Sequence, residues 1–471
     1  MRGTVADLLT IPHVRAVNCD AIRGRVLRRI VTDSRDLRKG DVFVAFRGAR
    51  VDAHDLVPDV CARGARVCVV ENRWYRKHAS AYPDLPLLVV KDTVEAYGAI
   101  AQFHRRQFDI PLLAITGSNG KTSTKEMIGA VLKTKYNVLL NAGNYNNQIG
   151  LPATLLRVTD RHDLIVTEMG TNQPGDIPYL CDIAGPTHGL ITNIGRAHME
   201  KLLSREGIAA EKGALYASLP KGGVALINAD EPLLRARVPR GRTRVSYGTT
   251  ARSDVRIVDV RLDRKGKAIV KLTADRFVRR PITLRLQSLG RHAAYNAAAA
   301  LAVGFVFGCG VTKMKAALER IRNADKRMQL QDAAGITVIN DTYNANPDSV
   351  LAAVDLLQQI TVQGKRCVVL GDMLELGRIS RQEHEAIGAA LAAAGIPYVL
   401  TFGSRSRAIS SAARSVAVVA RHFREKQQLL DTLDALLDDG DAVLVKGSRS
   451  MHMEDVVGHL LRRNTSEEES R

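Results

Sequence analysis

The residues of this chain best suited to chemistry lie in one short stretch, residues 111–127, which reads PLLAITGSNGKTSTKEM. The apolar run at its start predicts a buried strand, and a helical pattern begins after Gly120. Between the two, glycines let the main chain approach an anion, which backbone N–H groups and the positive end of the helix dipole then face. Lys121 can reach terminal phosphates, and Thr122 or Ser123 can hold Mg²⁺. The stretch therefore predicts a nucleoside triphosphate site.

This glycine loop is a shortened variant of the usual phosphate-binding pattern, because only two residues separate Gly117 from Gly120. Its context is the required one, with a strand before it and a helix after it, so an ordinary glycine turn is the less favoured interpretation. The residues predicted to bind the nucleotide here are Gly117, Ser118, Asn119, Gly120, Lys121, Thr122 and Ser123.

Polar side chains follow the ends of several later strands in the pattern. Glu168 ends the apolar run 163–167, and His198 comes shortly after the run 190–194. Open α/β sheets bind ligands beyond the carboxyl ends of their strands, and a carboxylate beside a phosphate loop is suited to Mg²⁺. A lone histidine is more often structural, but this one lies at the edge where ligands are expected. Glu168 is therefore a candidate Mg²⁺ ligand, and His198 is a candidate residue of the ligand-binding edge.

A second polar segment, residues 141–152, is too rich in asparagine for a core element. The amide side chain offers both a donor and an acceptor without charge, which suits it to gripping phosphates or a peptide backbone. Asn144, Asn146 and Asn147 are the candidate substrate-binding residues of this segment. In the first hundred residues, Ser34, Arg35 and His54 are donors of the kind a diphosphate would use, although each alone is more often a cap or turn residue.

The length of 471 residues is too great for one core and predicts about three domains. The predicted limits are 1–107 for a small α/β domain, 108–312 for the phosphate-loop domain and 313–471 for a third domain. Residues 242–288 alternate like β-strands, and an alanine-rich helix follows to residue 306. In the third domain, strands that each end in a glycine- or aspartate-containing loop predict a doubly wound sheet. The fold class is therefore α/β.

Composition limits the range of functions. A net charge of +19 is compatible with nucleic-acid binding or with a small polyanionic substrate, but aromatic residues make up only 4% of the chain and offer little surface for stacking bases. The six cysteines are scattered without metal-ligand spacing, as in a reducing compartment. No apolar run reaches the ~18 residues of a membrane span, and the N-terminus lacks the core of a secretory signal, so a cytoplasmic location is expected.

Taken together, these motifs resemble the Mur ligase family over nearly the whole chain. The resemblance is carried, in chain order, by TGSNGKTSTKEM, GNYNNQIGLP, EMGTNQPGDI, TNIGRAHME, NDTYNANPDS, LGDMLELG and VKGSRSM. It implies a UDP-sugar substrate-binding domain at 1–107, a central P-loop ATPase at 108–312 with a parallel-rich sheet, and a C-terminal Rossmann-like ligase domain at 313–471 that closes over ATP. Several motifs favour the dipeptide-adding branch of the family.

The activity that this resemblance implies is ATP-dependent amide formation through an acyl phosphate. D-alanyl-D-alanine would be added to UDP-N-acetylmuramoyl-tripeptide in peptidoglycan synthesis, and hence in cell-wall growth, cell shape and cell division. ATP and Mg²⁺ are the implied cofactors. The resemblance also implies a monomer that has no nucleic-acid or membrane partner.

The resemblance also assigns roles to individual residues. Lys121 would contact the β- and γ-phosphates, Glu168 one Mg²⁺ and His198 a second. Lys212 matches a lysine that becomes carbamylated, which makes chemical sense because an ordinary lysine is a cation, whereas a carbamate is an anionic oxygen donor. The implied catalytic residues are Lys121, Glu168, His198 and Lys212, and the implied metal-binding residues are Thr122, Glu168, His198 and Lys212. Asn228 and Asn296 resemble positions that read adenine, Arg327 and Asp341 resemble positions that meet phosphates and ribose, and Ser34, Arg35 and His54 fall in the UDP-binding segment.

Two other interpretations remain open from the sequence. The first is another Mur-type ligase, either the diamino-acid-adding sister or a folylpolyglutamate synthase. The sister typically carries Asp-Asn-Pro-Arg in its third domain, whereas residues 344–348 here read NANPD. The second is a basic P-loop ATPase that acts on nucleic acid, whose hydrolysis would be stimulated by DNA or RNA and would fall steeply with salt. It would leave Glu168, His198 and Lys212 without a joint role.

Overall fold

The structure is a computed structural model that describes residues 2–322, 325–414 and 418–468. Within these residues three β-sheets follow one another along the chain, and helices cover them. The predicted α/β class is confirmed. No helix in the described ranges combines the length and the apolar character needed to cross a membrane.

The N-terminal sheet is small and has a mostly apolar interior. Its described strands are β1 (Arg15–Val17), β2 (Ile30–Val31), β3 (Val42–Val44), β4 (Val67–Glu71) and β5 (Leu87–Val90), in the order β1-β5-β4-β3-β2. β1 pairs antiparallel with β5, and the other neighbours pair in parallel. Its helices are α1 (Val5–Leu8), α2 (Val57–Ala62), α3 (Asn72–His78) and α4 (Thr93–Arg105). α4 also packs against the central domain.

The central sheet carries the phosphate loop. Its described strands are β6 (Leu112–Thr116), β7 (Val138–Leu140), β8 (Leu164–Glu168), β9 (His188–Ile191), β10 (Val224–Asn228), β11 (Thr243–Gly248), β12 (Val255–Leu262), β13 (Lys267–Ala274) and β14 (Val278–Leu289). They are ordered β14-β13-β12-β11-β10-β9-β6-β8-β7, parallel from β7 to β12 and antiparallel at β13 and β14. β6 is buried throughout because helices cover both faces, whereas β14 alternates buried and exposed residues.

The helices of the central domain include the one that begins directly after the phosphate loop. In chain order they are α5 (Lys121–Leu132), α6 (Gly150–Leu155), α7 (Asp176–Ala184), α8 (Met199–Leu202), α9 (Arg205–Ala217), α10 (Pro232–Arg235), α11 (His292–Val306) and α12 (Val311–Arg320). α11 is the predicted alanine-rich helix, and it packs between α5 and the strands β10 to β14. The predicted β-rich section 242–288 is confirmed as β11 to β14.

The C-terminal sheet is doubly wound, as the sequence predicts. Its described strands are β15 (Gln329–Ala333), β16 (Ile336–Asp341), β17 (Arg366–Gly371), β18 (Tyr398–Phe402), β19 (Val419–Phe423) and β20 (Ala442–Lys446), in the order β15-β16-β20-β17-β18-β19. β15 runs antiparallel, and the other strands run in parallel. The helices are α13 (Pro347–Gln359), α14 (Ser380–Ala393), α15 (Arg407–Ala413), α16 (Lys426–Leu436) and α17 (Glu454–Glu468). Separate apolar clusters lie on the two faces of the sheet.

The three sheets fall within the predicted limits 1–107, 108–312 and 313–471, which stay predictions. The limit at 312 lies inside α12, which packs against α5 and β14 of the central domain. This packing favours a boundary after Arg320.

Candidate active site

A large cavity of about 1430 Å³ lies where the central and C-terminal domains meet. The central domain lines it with residues 118–120 of the phosphate loop (residues 117–120), with residues 144 and 146–149 of the asparagine loop (residues 141–149), and with the segments that follow β8, β9 and β10. The C-terminal domain contributes residues 341–349, which follow β16, and residues 446–449, which follow β20. The cavity therefore occupies the carboxyl ends of the strands, where open α/β sheets bind ligands.

The phosphate loop approaches its neighbours so closely that its two glycines have no substitute. Gly117 has a φ of +148°, and a Cβ there would lie 1.8 Å from Thr192 Oγ1. Gly120 has a φ of +77°, and a Cβ there would lie 2.9 Å from Asn296 Oδ1. The main chain is held in place by the Asn119 N–H, which donates to Asn193 Oδ1 at 3.0 Å. At both positions glycine allows the close approach of the loop to its neighbours, and residues 118–120 line the cavity.

Lys121 begins α5 and folds back over the loop. Its ammonium donates to the carbonyl oxygens of Gly117 at 2.8 Å and Ser118 at 3.4 Å. Burial lowers the pKa of Lys121, the charge of Glu168 acts in the opposite direction, and the charge of Arg327 lowers it further. The lysine lines the cavity without a direct carboxylate contact, so its charge is available to a bound anion.

Glu168 lies at the end of β8 with its carboxylate held on both sides. Thr122 Oγ1 donates to Oε2 at 2.8 Å, and Asn146 Nδ2 donates to Oε1 at 2.8 Å. The Glu168 N–H donates to Asn141 Oδ1 at 2.8 Å, which also fixes the backbone. Mg²⁺ is usually held by one or two carboxylates together with substrate phosphates and waters. The oxygens of Thr122 and Glu168 fit that donor set.

Lys212 is the most unusual buried group near this carboxylate. It lies on α9 with no exposed surface, and its Nζ has no hydrogen-bond partner among the described residues. Burial lowers the pKa of Lys212 well below its usual value; the charge of Lys121 acts in the same direction, and the charges of Glu211 and Glu168 act against it. Glu211 is already engaged, since it accepts from the N–H groups of Gly175 and Ile177 at the start of α7. Lys212 is therefore a buried amine that lacks a hydrogen-bond partner among the described residues and whose charged form is disfavoured by burial.

His198 lies at the interface between the central and C-terminal domains. It has a φ of +58°, and its Nδ1 is 2.5 Å from Glu375 Oε2 of the C-terminal domain. The Glu200 N–H donates to the Glu375 carbonyl at 3.0 Å, which strengthens the same contact. His198 lines the cavity, but its nearest polar partner belongs to the other domain. In the described residues, no three His, Cys, Asp or Glu side chains gather as a ready-made metal site.

The residues predicted to read the nucleotide all line the cavity. Asn296 on α11 accepts from Thr124 Oγ1 at 3.1 Å, and Asn228 donates to the Thr192 carbonyl at 2.8 Å. From the C-terminal domain, the Arg327 guanidinium stacks 3.7 Å from the centre of the Tyr343 ring. Asp341 accepts from the Lys446 ammonium and, at 3.1 Å, from the Met328 N–H.

The asparagine loop is only partly free to meet a ligand. Asn144, Asn146 and Asn147 all line the cavity. Asn146 is engaged by Glu168, and Asn147 Oδ1 accepts from the N–H groups of Ile149 and Gly150 at the start of α6. Asn144 is exposed.

Ser34, Arg35 and His54 lie in the N-terminal domain and are not among the described residues that line the cavity. Arg35 is exposed and pairs with Asp33 at 2.6 Å. His54 is fully buried: its Nδ1 is 2.6 Å from Asp52 Oδ1, and its Nε2 accepts from the Glu71 N–H at 3.0 Å. Both ring nitrogens are therefore occupied by contacts within the N-terminal domain. The UDP-binding role of these three residues stays a prediction.

A further contact between the domains was not predicted from the sequence. The Arg196 guanidinium donates to Asp348 Oδ1 at 2.8 and 3.1 Å and to Glu383 Oε2 at 2.9 Å. The backbone N–H of Arg196 donates to Asp348 Oδ2 at 2.8 Å. Nearby, Asn346 Nδ2 of the C-terminal domain donates to Asn119 Oδ1 of the phosphate loop at 2.7 Å. The C-terminal domain is therefore bonded directly to the loop that faces the cavity.

Comparison with known proteins assigns this fold and site to one family. Residues 115–304 match the Mur ligase middle domain, and residues 326–449 match the Mur ligase, glutamate ligase domain. A UDP-N-acetylmuramoyl-tripeptide–D-alanyl-D-alanine ligase of Escherichia coli is 37% identical over 445 residues, which cover 93% of this chain and 95% of the relative. The chain belongs to the Mur ligase family.

Solved structures agree with this Mur ligase assignment. A crystal structure of MurF from Acinetobacter baumannii superposes with a TM-score of 0.88 at 30% identity and covers 98% of this chain and 99% of that one. A MurF ligase from Thermotoga maritima, solved in complex with ADP, gives a TM-score of 0.83 at 28% identity and covers 93% and 98%. The family resemblance predicted from the motifs is confirmed.

Proposed function

We propose that this Mur ligase joins D-alanyl-D-alanine to UDP-N-acetylmuramoyl-tripeptide at the expense of ATP, in the synthesis of peptidoglycan precursors. The observation that carries the proposal is the phosphate loop beside Glu168, in a cavity that two domains share. Lys212 does not line that cavity; it lies buried behind it, and its Nζ has no hydrogen-bond partner among the described residues. Full-length relatives that bear this activity in their name, and a relative solved with ADP, support it.

In the first step, the terminal carboxylate of the tripeptide attacks the γ-phosphorus of ATP, and ADP leaves. The N–H groups at the start of α5 would face the phosphates, and Lys121, whose ammonium lies over the loop carbonyl groups, would supply a positive charge. Mg²⁺, held by Thr122, Glu168 and a carbamylated Lys212, with His198 for a second ion, would neutralise the charge that crowds the transferred group.

In the second step, the amine of the dipeptide attacks the acyl carbon, loses a proton, and phosphate leaves as the amide forms. No side chain has to act as a nucleophile. The acyl phosphate must instead be protected from water, which the C-terminal domain does by closing over the cavity. The contacts of Arg196 and Asn346 fit this closed arrangement.

Lys212 is suited to carbamylation because its amine is buried without a hydrogen-bond partner among the described residues, and burial lowers its pKa. A neutral amine adds CO₂ and releases a proton, which places an anionic oxygen donor beside Glu168. Lys212→Ala is expected to abolish turnover, and bicarbonate is expected not to restore it. Wild-type activity in Lys212→Ala would rule this role out.

The remaining assignments are part of the same proposal. Ser34, Arg35 and His54 mark the segment that would hold the UDP group, and Asn144, Asn146 and Asn147 the segment that would face the peptide. The enzyme would work in the cytoplasm as a monomer, with no nucleic-acid or membrane partner.

The deciding experiment measures phosphate release from ATP and Mg²⁺ with the UDP-linked tripeptide and D-alanyl-D-alanine added singly and together. Release that requires both, with a UDP-linked pentapeptide by mass spectrometry, is the expected result. Offering a diamino acid with the UDP-linked dipeptide, or glutamate with a folate, separates the other Mur-type ligases. Release that ignores all these substrates but rises with DNA or RNA would refute the proposal.

A further inference from the structure

Lys125, the fifth residue of α5, is fully buried, although lysine side chains usually extend towards solvent. Its ammonium donates to the carbonyl oxygens of Asn141 at 2.8 Å and Gly143 at 3.2 Å, and it lies 3.0 Å from Glu126 Oε1. An ammonium has three N–H groups; here two donate to backbone carbonyls, and the Glu126 carboxylate balances the charge. Lys125 does not line the cavity, so its partners are all within the protein.

The carbonyl groups that Lys125 binds belong to the start of the asparagine loop. Asn141 accepts from the Glu168 N–H through its side chain, and Asn146, five residues further on, donates to the Glu168 carboxylate. A continuous path of hydrogen bonds therefore runs from α5 through the loop to Glu168. Without the ammonium, the carbonyl of the buried Asn141 would lose its donor, which is costly inside a protein.

We propose that Lys125 is a positioning residue that fastens the asparagine loop to the phosphate-loop helix and thereby sets the orientation of the Glu168 carboxylate. Four of the first five residues of α5 then each bond to a different segment around the cavity. These residues are Lys121 on the loop backbone, Thr122 on Glu168, Thr124 on Asn296 and Lys125 on the asparagine loop. The inference rests on the proposed function only where Glu168 is taken to meet a metal ion.

The test compares full-length wild type with Lys125→Met, which keeps the length of the side chain but removes the charge and the donors. Hydrogen exchange of the backbone amides of residues 141–147, without ligands, is expected to quicken by about tenfold. Binding of Mn²⁺ in the presence of ADP, followed by electron paramagnetic resonance, is expected to need about tenfold more metal for half-saturation. Lys133→Met, at the exposed C-terminal end of α5, is the matched control and should change neither quantity.

Folded Lys125→Met with unchanged loop exchange and unchanged Mn²⁺ binding would overturn the inference. Exchange that quickens equally across the whole central sheet would also overturn it, because Lys125 would then only stabilise the domain. Should Lys125→Met not fold, Lys125→Gln keeps one donor group, and an intermediate change in both quantities is expected. Wild type that binds no Mn²⁺ with ADP would refute the proposed function, while quickened exchange confined to the loop would still support the positioning contact.

Discussion

Replacing Arg196 with alanine removes the ion pairs that join the central domain to both Asp348 and Glu383. The Arg196 side chain is 33% exposed, and Asp348 and Glu383 are 36% and 12% exposed, so solvent screens part of each attraction. After that discount, each carboxylate contributes about 1 to 1.5 kcal/mol to the contact between the domains. The sum of about 2 to 3 kcal/mol corresponds to a ~30- to 150-fold shift away from the closed arrangement.

Two measurements report this shift in Arg196→Ala. The radius of gyration with ADP bound, from small-angle X-ray scattering, is expected to exceed the wild-type value because the C-terminal domain is held less firmly. The Kd for ADP is expected to rise by at least about tenfold, because residues from both domains line the cavity and the binding-competent form is less populated.

The matched control is Arg381→Ala, on the same helix as Glu383. Arg381 is 87% exposed and pairs with Glu385 along the surface, where solvent screens the attraction. It should leave both measurements unchanged. Arg196→Ala with wild-type ADP affinity and a wild-type radius of gyration would refute the reasoning, since the ion pairs would then not hold the domains together.

Three further predictions follow from single residues. Gly117→Ala should lose measurable ADP binding by calorimetry, because the new Cβ overlaps Thr192 Oγ1. The control Gly222→Ala should keep ADP binding, because that glycine also has a positive φ but no atom lies within 4 Å of the new Cβ. Equal binding in both variants would contradict the steric argument. His54→Ala should lower the free energy of unfolding in urea by about 1 to 3 kcal/mol, because it leaves the Glu71 N–H without its acceptor, and an unchanged midpoint would contradict a structural role. Cys61 should be the first thiol alkylated by limiting iodoacetamide near neutral pH. The hydrogen bond from the Cys68 thiol lowers the pKa of Cys61, whereas burial raises the pKa of the fully buried Cys367 thiol. Peptide mapping that finds Cys367 modified first would contradict this prediction.

Local patterns were sufficient to predict the phosphate loop. The apolar run of β6, the glycines and the polar start of α5 are contiguous, so their geometry depends on few distant partners. Glu168 was also predictable, because an acidic residue at the end of a β-strand marks the edge where ligands bind. The extra strands β15 and β19 were missed, because each lies at an edge of the sheet with a weaker apolar pattern.

Contacts between distant segments were beyond the reach of the sequence. Arg196 and Glu383 are 187 residues apart, and from the sequence alone each charged side chain would be expected at a solvated surface. Lys125 follows a polar run and would normally extend into water; its burial depends on carbonyl groups of a loop whose path the sequence does not define. His54 looked like a donor for a diphosphate, but the Glu71 N–H that occupies it comes from a strand 17 residues later.

The alanine-rich helix α11 has a consequence for how the site stays ordered. Its buried alanines, from Ala293 to Ala302, carry no rotatable side-chain bonds, so these residues lose no side-chain conformational entropy when α11 packs against α5. The short alanine side chains favour a close approach of the two helices, and Asn296 on α11 lies against Gly120 at the start of α5. Rearrangement of rotamers on heating therefore has fewer side chains to act on along α11 than along a leucine-rich helix. Heating should therefore disturb the contacts between domains before it disturbs this pair of helices.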